Sequence, residues 1–478
     1  MGPVVQTTSG AVRGSSERGA HVFLNIPYAA PPFGARRFQA PAPPNSWEGI
    51  RDALAYGATA PQPHRQFTLV PEPVTPGDDC LNLNVFTPSG SGPGDALPVL
   101  FWIHGGGFTA GCNASTWYRG EPFAAHGVVT VSINYRLGAE GFLVLDGAPS
   151  NRAVLDWVAA LTWVRENIAA FGGDPTKVTI AGQSAGGVAC STLLCMPAAK
   201  GLFRAAICMS GSRVPTDAAA DTIGLTRAVA DELGVDPTLR GLASVDPEQL
   251  VDVQDAAATR VAGAGEPVRI GFGPVVDDDV IPKAGLLVDP DVKVMAGATA
   301  EEFNAAMRGL AGKMDDERLV RRLGRMGVDG EATAAAYRAV LPDAENWWLY
   351  GQAVTDSRFK SPSDRLVGAW AKGGGDAWLY AFEWRSLLPQ FGSVHCLDIP
   401  FAFDNLAAAG AREVTGEGAP QELADAMHGA FVGFIADGDP GWPAYDVSRR
   451  AGKVFDATSK VVEDPYRFER ETWTRSSL

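Results

Sequence analysis

The chain reads as an α/β protein built on a mostly parallel sheet with helices on both faces. Three observations predict this: apolar strand-like runs alternate with helical patterns, glycine-rich turns follow two of those runs directly, and the length allows a large buried core. Its 478 residues would suggest about three domains on a prior of ~150 residues each. No Ser/Gly-rich or charged linker and no solenoid repeat divides the chain, so a single α/β domain over 1–478 with helical insertions is the expectation.

Each element has its own justification. The region from Val4 to about Trp47 is strand-like and proline-rich, with Ile26-Pro27-Tyr28-Ala29 and Pro31-Pro32-Phe33-Gly34 favouring extended segments and turns. Leu81 to Phe86, Val99 to His104 and Val128 to Asn134 read as strands, and Ala153 to Phe171 as an amphipathic helix stopped by Gly172-Gly173. Next come a strand at Val178 to Ala181, a helix from Ala185 to about Leu194, and the apolar run Ala205 to Ser210. Helical, polar patterns over 215–270 and 310–375 read as insertions on the rim of a pocket. Val292 to Gly297 and Trp378 to Trp384 return to strand, and Gln421 to Ala436 closes as a helix.

Composition removes several classes of function. Forty basic against 55 acidic side chains leave a net charge of −15, and no dense Lys/Arg cluster is present, so nucleic acid and anionic membranes are poor partners. No run of ~20 apolar residues predicts a membrane span. With no signal-peptide pattern at the N-terminus, a cytoplasmic protein is expected, a monomer or small homo-oligomer. The six cysteines are dispersed without Cys-x-x-Cys, which predicts neither a zinc site nor a disulfide scaffold; no metal or cofactor is expected.

Two motifs carry the chemistry. Gly182-Gln183-Ser184-Ala185-Gly186 lies between a β-branched run and a small-residue helix start, and reads as a nucleophile elbow that lifts Ser184 out of the sheet. His104-Gly105-Gly106-Gly107-Phe108 follows another apolar strand and reads as an oxyanion-hole loop, whose bare backbone N–H groups can converge on a substrate oxygen. A serine hydroxyl needs a general base held by a carboxylate. Of the six histidines, His21, His64, His126 and His428 read as surface or core residues, and His104 as a loop-ordering one. His395, on a loop late in the chain, fits the serine, acid, histidine order of the α/β-hydrolase fold. The acid then falls after the strand at Val292 to Gly297, where Glu301 and Glu302 are equally placed by periodicity.

Over nearly its whole length the chain resembles a type-B carboxylesterase of the carboxylesterase/cholinesterase family. The resemblance rests on Ile26-Pro27-Tyr28-Ala29 with Arg37-Phe38, Asp79 to Val85, the glycine loop, Phe171 to Pro175, the elbow, Ser210-Gly211-Ser212, and Gly438-Asp439-Pro440 near Trp442-Pro443. It implies Ser184 as nucleophile, His395 as base in a His-x-x-Asp-Ile-Pro-Phe context, and Glu302 as orienting acid, five residues beyond Gly297. It further implies an oxyanion hole from the N–H groups of Gly106, Gly107 and Ala185, with Glu301 a solvated neighbour. Gln183 stands where the family commonly has glutamate, which predicts no preference for choline-like esters. Ala60 stands where the family has the disulfide partner of Cys80, so Cys80 is expected free in a reducing compartment.

The implied activity is hydrolysis of uncharged small or aromatic esters through an acyl-enzyme. Phe108, Phe401 and Phe403 are candidates for an apolar pocket, and equally for core packing. A carbamate or amide hydrolase with the same triad, and a non-catalytic binding protein of the same fold, are the competing readings.

Overall fold

The computed structural model describes residues 2–64, 68–262, 271–283 and 285–473. They fall into two compact units: Met1–Ala206 with Val214–Leu287 and Ile435–Asp437, and Ile207–Arg213 with Val288–Phe434 and Gly438–Leu478.

In the first unit sheet strands run Gly173–Gln183, Leu97–Ile103, Val129–Ile133, Asn82–Pro88, Ala20–Pro27, Ser15–Glu17 in spatial order. The first three strands are parallel and the rest antiparallel. The parallel strands are continuous apolar runs because both faces are covered; Val99, Phe101, Ile103, Val129, Val131 and Ile180 have no exposed surface. Helix Arg152–Asn167 packs on this sheet, and a short 3-10 turn, Ile168–Phe171, ends it at Gly172 in a left-handed conformation. A separate three-stranded sheet joins Val4–Gln6, Ala11–Arg13 and Ile50–Asp52.

The register of this sheet fixes what emerges at its carboxyl edge. Ile103 lies opposite Gly182, so the residues after both strands, His104-Gly105 and Gln183-Ser184, leave the sheet side by side. Helices Ala219–Leu233, Leu239–Ala243 and Pro247–Ala262 occupy most of the segment expected to be helical over 215–270; residues 263–270 lie outside the described residues.

In the second unit Lys293–Thr299, Ala377–Phe382 and Ala451–Phe455 pair in parallel, and Lys460–Glu463 adds an antiparallel edge. Thr299 pairs with Phe382, and Ala300 N–H donates to the Phe382 carbonyl at 2.9 Å, so the loops after these two strands also start together. The segment expected to be helical over 310–375 holds helices Asp316–Arg325, Gly330–Val340, Asn346–Thr355 and Ser361–Lys372, with a π-helical turn, Asp356–Lys360, between the last two. Sequence periodicity does not reveal that turn. Among the described residues no helix is long and apolar enough to cross a membrane.

Candidate active site

In the first unit the strand Gly173–Gln183 ends directly against helix Ala185–Leu193, and Ser184 is the one residue between them. Its backbone sits at φ 58°, ψ −121°, a region costing a non-glycine residue roughly 1–3 kcal/mol. Close packing holds the strain. A Cβ on Gly186 would run into the Ile103 carbonyl, and one on Gly182 into the Gly186 backbone, so only glycines fit on both sides of the serine. Ser184 is partly exposed while its neighbours are buried. Its carbonyl already accepts from Val188 N–H at 2.9 Å, starting the helix whose N-terminus favours developing negative charge.

The glycine loop lies beside this elbow. A Cβ on Gly105 would sit 2.8 Å from the Gln183 carbonyl and 3.3 Å from the Ser184 Cβ. Gly106 and Gly107 take φ 103° and 66°, and a Cβ on Gly106 would overlap the Ala110 carbonyl. The Gly106 carbonyl accepts from Ala110 N–H at 3.1 Å, which curls the loop tightly. His104 is buried, stacks on Tyr135 at 4.4 Å and places Nδ1 2.8 Å from the Gly105 carbonyl. Burial drives its pKa down to about 4, so it is a neutral loop-ordering residue.

In the second unit the loops carrying Glu302 and His395 are laced together. Glu301 N–H donates to the Ser393 carbonyl at 3.0 Å, and His395 N–H to the Glu302 carbonyl at 3.1 Å. The Glu302 side chain is fully buried; one oxygen accepts from Thr299 N–H at 2.8 Å, and the other is hydrogen-bonded to His395 Nδ1. The carboxylate is thus fixed by the strand end and in turn fixes the imidazole. Burial disfavours the charged form of His395, but the adjacent Cys396 sulfur and the Glu302 carboxylate outweigh it and raise the pKa well above the ordinary histidine value. Cys396, at φ 69°, has its own thiol pushed up by burial and pulled back by His395.

Glu301 corrects one expectation. It is not solvated: it is buried, pairs with Arg385 and accepts from Ser393 N–H at 3.0 Å. The two adjacent glutamates therefore divide between orienting the imidazole and bracing the loop that carries it. Asp398, to which the motifs assign no role, is fully buried three residues beyond His395 and accepts from Tyr380 O–H at 3.1 Å. Its pKa is raised to about 7, by burial first and then by the charge of Glu302. The His-x-x-Asp pattern was the available signal for it.

Of the remaining histidines, His428 is buried with Nδ1 2.9 Å from the Ala402 carbonyl, and His21 and His126 lie nearer the surface, bonded to Ser16 and the Pro122 carbonyl. Phe108 packs on Phe142 and Trp157, Phe401 packs on Phe382 and Trp384, and both are fully buried, as is Phe403 to within 1 %. All six cysteines are buried thiols outside any disulfide. Among the described residues, no three His, Cys, Asp or Glu side chains are grouped to hold a metal ion.

Comparison with known proteins agrees over nearly the full length. A carboxylesterase family model matches residues 1–464. A para-nitrobenzyl esterase of Bacillus subtilis is 36% identical, with 98% of each chain covered, and a phenmedipham hydrolase of Pseudarthrobacter oxydans is 34% identical, with 97% of each covered. The crystal structure of a Geobacillus stearothermophilus carboxylesterase superposes with a TM-score of 0.87 at 35% identity, covering 98% of this chain and 99% of that one. The fold is accordingly the α/β-hydrolase fold, a mixed sheet flanked by helices, and the chain belongs to the carboxylesterase family and is a carboxylic ester hydrolase.

Proposed function

We propose that the enzyme hydrolyses uncharged small or aromatic esters, with Ser184 as nucleophile, His395 as general base, Glu302 as its orienting acid, and the N–H groups of Gly106, Gly107 and Ala185 as the oxyanion hole. His395 takes the Ser184 proton as the serine oxygen attacks the ester carbonyl, and the carbonyl electrons move onto the oxygen held by the three N–H groups. Collapse expels the alcohol, protonated by His395; water, deprotonated by the same imidazole, then releases the acid and restores the serine.

The observation that carries this reading is the bond from His395 Nδ1 to a Glu302 carboxylate anchored on Thr299 N–H. A histidine kept only for packing has no need of a buried anion on one nitrogen. The strained backbone of Ser184 beside glycines that tolerate no side chain supports the nucleophile assignment. Neutral Gln183 supports uncharged substrates, as does likeness to relatives named for a para-nitrobenzyl ester and for phenmedipham. The helical segments 215–270 and 310–375 belong to the proposal as insertions that set substrate access, and the six buried thiols support a reducing, cytoplasmic location.

The test is turnover of p-nitrophenyl esters from acetate to octanoate, with one aryl carbamate, by wild type and Ser184→Ala. Turnover by wild type alone, with stoichiometric organophosphate labelling of Ser184, supports the assignment, and the profile of rates sizes the pocket. A folded wild type inert to the whole series overturns the substrate class, and an active Ser184→Ala overturns the nucleophile.

A further inference from the structure

The second unit carries a buried ion trio that the mechanism above does not use. Lys360 Nζ lies 3.2 Å from Asp356 Oδ1 and 3.0 Å from Glu469 Oε1, and all three residues are buried. Asp356 also accepts from Tyr337 O–H at 2.7 Å and from Gln352 Nε2 at 2.8 Å, while Trp473 Nε1 donates to the Tyr337 hydroxyl at 3.0 Å. Buried charges are costly even when paired, so a trio is weak evidence for stability alone. Its place in the chain is more telling: Asp356 and Lys360 are the two ends of the π-helical turn. Such turns are rare and persist where their surroundings hold them.

Phe359 sits inside that turn. Its ring lies 5.3 Å from the His395 ring and stacks on Phe303 at 5.4 Å; Phe303 in turn lies 5.1 Å from His395. The backbone bearing Glu302 and Phe303 is tied to the same helix: Phe303 N–H donates to Thr355 Oγ1 at 3.2 Å, Gln352 Nε2 to the Ala300 carbonyl at 3.1 Å, and Asn304 Nδ2 to Gln352 Oε1 at 3.0 Å. The imidazole therefore has a carboxylate on Nδ1 and two phenyl rings beside it, one of them set by the ion trio.

We propose that Lys360 is a positioning residue for His395: by bridging Asp356 and Glu469 it fixes the π-helical turn that lays Phe359 against the imidazole and keeps Nδ1 on Glu302. This rests on His395 being the general base. The charged or titratable groups facing Lys360 are Asp356, Glu469 and, at longer range, Glu383; those facing His395 are Glu302, Cys396 and Asp398.

The experiment is the pH dependence of kcat and KM for p-nitrophenyl acetate in wild type, Lys360→Met, Lys360→Arg, Phe359→Leu, the Lys360→Met/Phe359→Leu pair, and His395→Ala. Lys360→Met and Phe359→Leu are each expected to lower kcat roughly 10- to 100-fold, the scale of a slightly misplaced catalytic group, with KM little changed. Their combination should cost no more than the larger single loss, and Lys360→Arg should recover most of the rate. Both variants should also move the acidic limb of the profile to lower pH, because an imidazole loosened from Glu302 loses part of its raised affinity for a proton. Simple removal of a cation would push that limb the other way, and Phe359→Leu removes no charge. A folded Lys360→Met with wild-type kcat and limb, or losses that multiply in the pair, would overturn the proposal. Should Lys360→Met fail to fold, Lys360→Met/Asp356→Asn/Glu469→Gln, which leaves no member of the trio charged, is judged by the same two readings. Wild-type activity in His395→Ala would defeat the base assignment itself, whereas an inactive His395→Ala beside a fully active Lys360→Met defeats this inference alone.

Discussion

A serine is made nucleophilic by its surroundings, and in the proposed site those surroundings are separable residue by residue. Glu302 does two things to His395: it holds Nδ1, and its charge helps raise the imidazole pKa above the ordinary histidine range against the opposing pull of burial. In the proposed mechanism only the neutral imidazole takes the Ser184 proton, so the rate should fall as pH drops through the His395 pKa, giving an acidic limb above the usual histidine value. Glu302→Gln removes the anion, so that limb should move to lower pH while kcat falls by roughly 10³- to 10⁴-fold, as for loss of a triad carboxylate. A limb that stays put in kcat/KM profiles would mean that Glu302 does not govern His395. Gly106 gives a second residue-level test. At φ 103°, with the Ala110 carbonyl where a Cβ would go, alanine must shift the loop. Gly106→Ala should therefore cost about 100- to 1000-fold in kcat, the scale of one lost oxyanion donor, with a folded protein by circular dichroism.

At the scale of elements, the proposed site depends on strands that end in register. Ile103 opposite Gly182 delivers the glycine loop to the elbow, and Thr299 opposite Phe382 delivers the loop of Glu302 to that of His395. The first pairing is sealed by the helix after Ser184, whose Gly186 leaves no room for a methyl group over the Ile103 carbonyl. Gly186→Ala should consequently destabilise by about 1–3 kcal/mol, the usual cost of overpacking, seen as a lower urea midpoint; an unchanged midpoint would show that the helix can slide. Much of this was legible in the sequence. The Val178 to Ala181 run, the glycines around Ser184 and the strand before His104 are local patterns, and the strands and helices there differ from expectation only at their ends. Glu302 needed family likeness, because periodicity treats Glu301 and Glu302 alike and only the long-range partners Arg385 and His395 separate them. The π-helical turn was not legible at all: its Lys360 is satisfied by Glu469, 109 residues away, and no local pattern encodes that.

For the molecule as a whole, the response to pH divides between its surface and its interior. The exposed Asp446 is held below its ordinary range by hydrogen bonds from Ser448 and Arg449 and favours folding at neutral pH. Two buried carboxylates act oppositely. Asp398 is pushed up to about 7 and Asp356 to about 6, in each case chiefly by burial. A carboxyl whose folded pKa is raised binds its proton more tightly when folded, so its stabilising contribution is complete below the unfolded pKa and is lost as pH rises through the folded one. For Asp398 that window runs from about 4 to about 7. At about 1.4 kcal/mol per pH unit, the gap between 3.8 and about 7 corresponds to at most ~4 kcal/mol. An asparagine side chain in its place would be neutral throughout while still able to accept from Tyr380 O–H. Asp398→Asn should thus differ little from wild type near pH 4, gain on it steadily up to pH 7, and hold a constant advantage above that, in denaturant midpoints taken at each pH. A difference that is flat across this range would mean that Asp398 is ionised in the folded enzyme throughout, and that its charge, set beside that of Glu302, is one the fold has been built to carry.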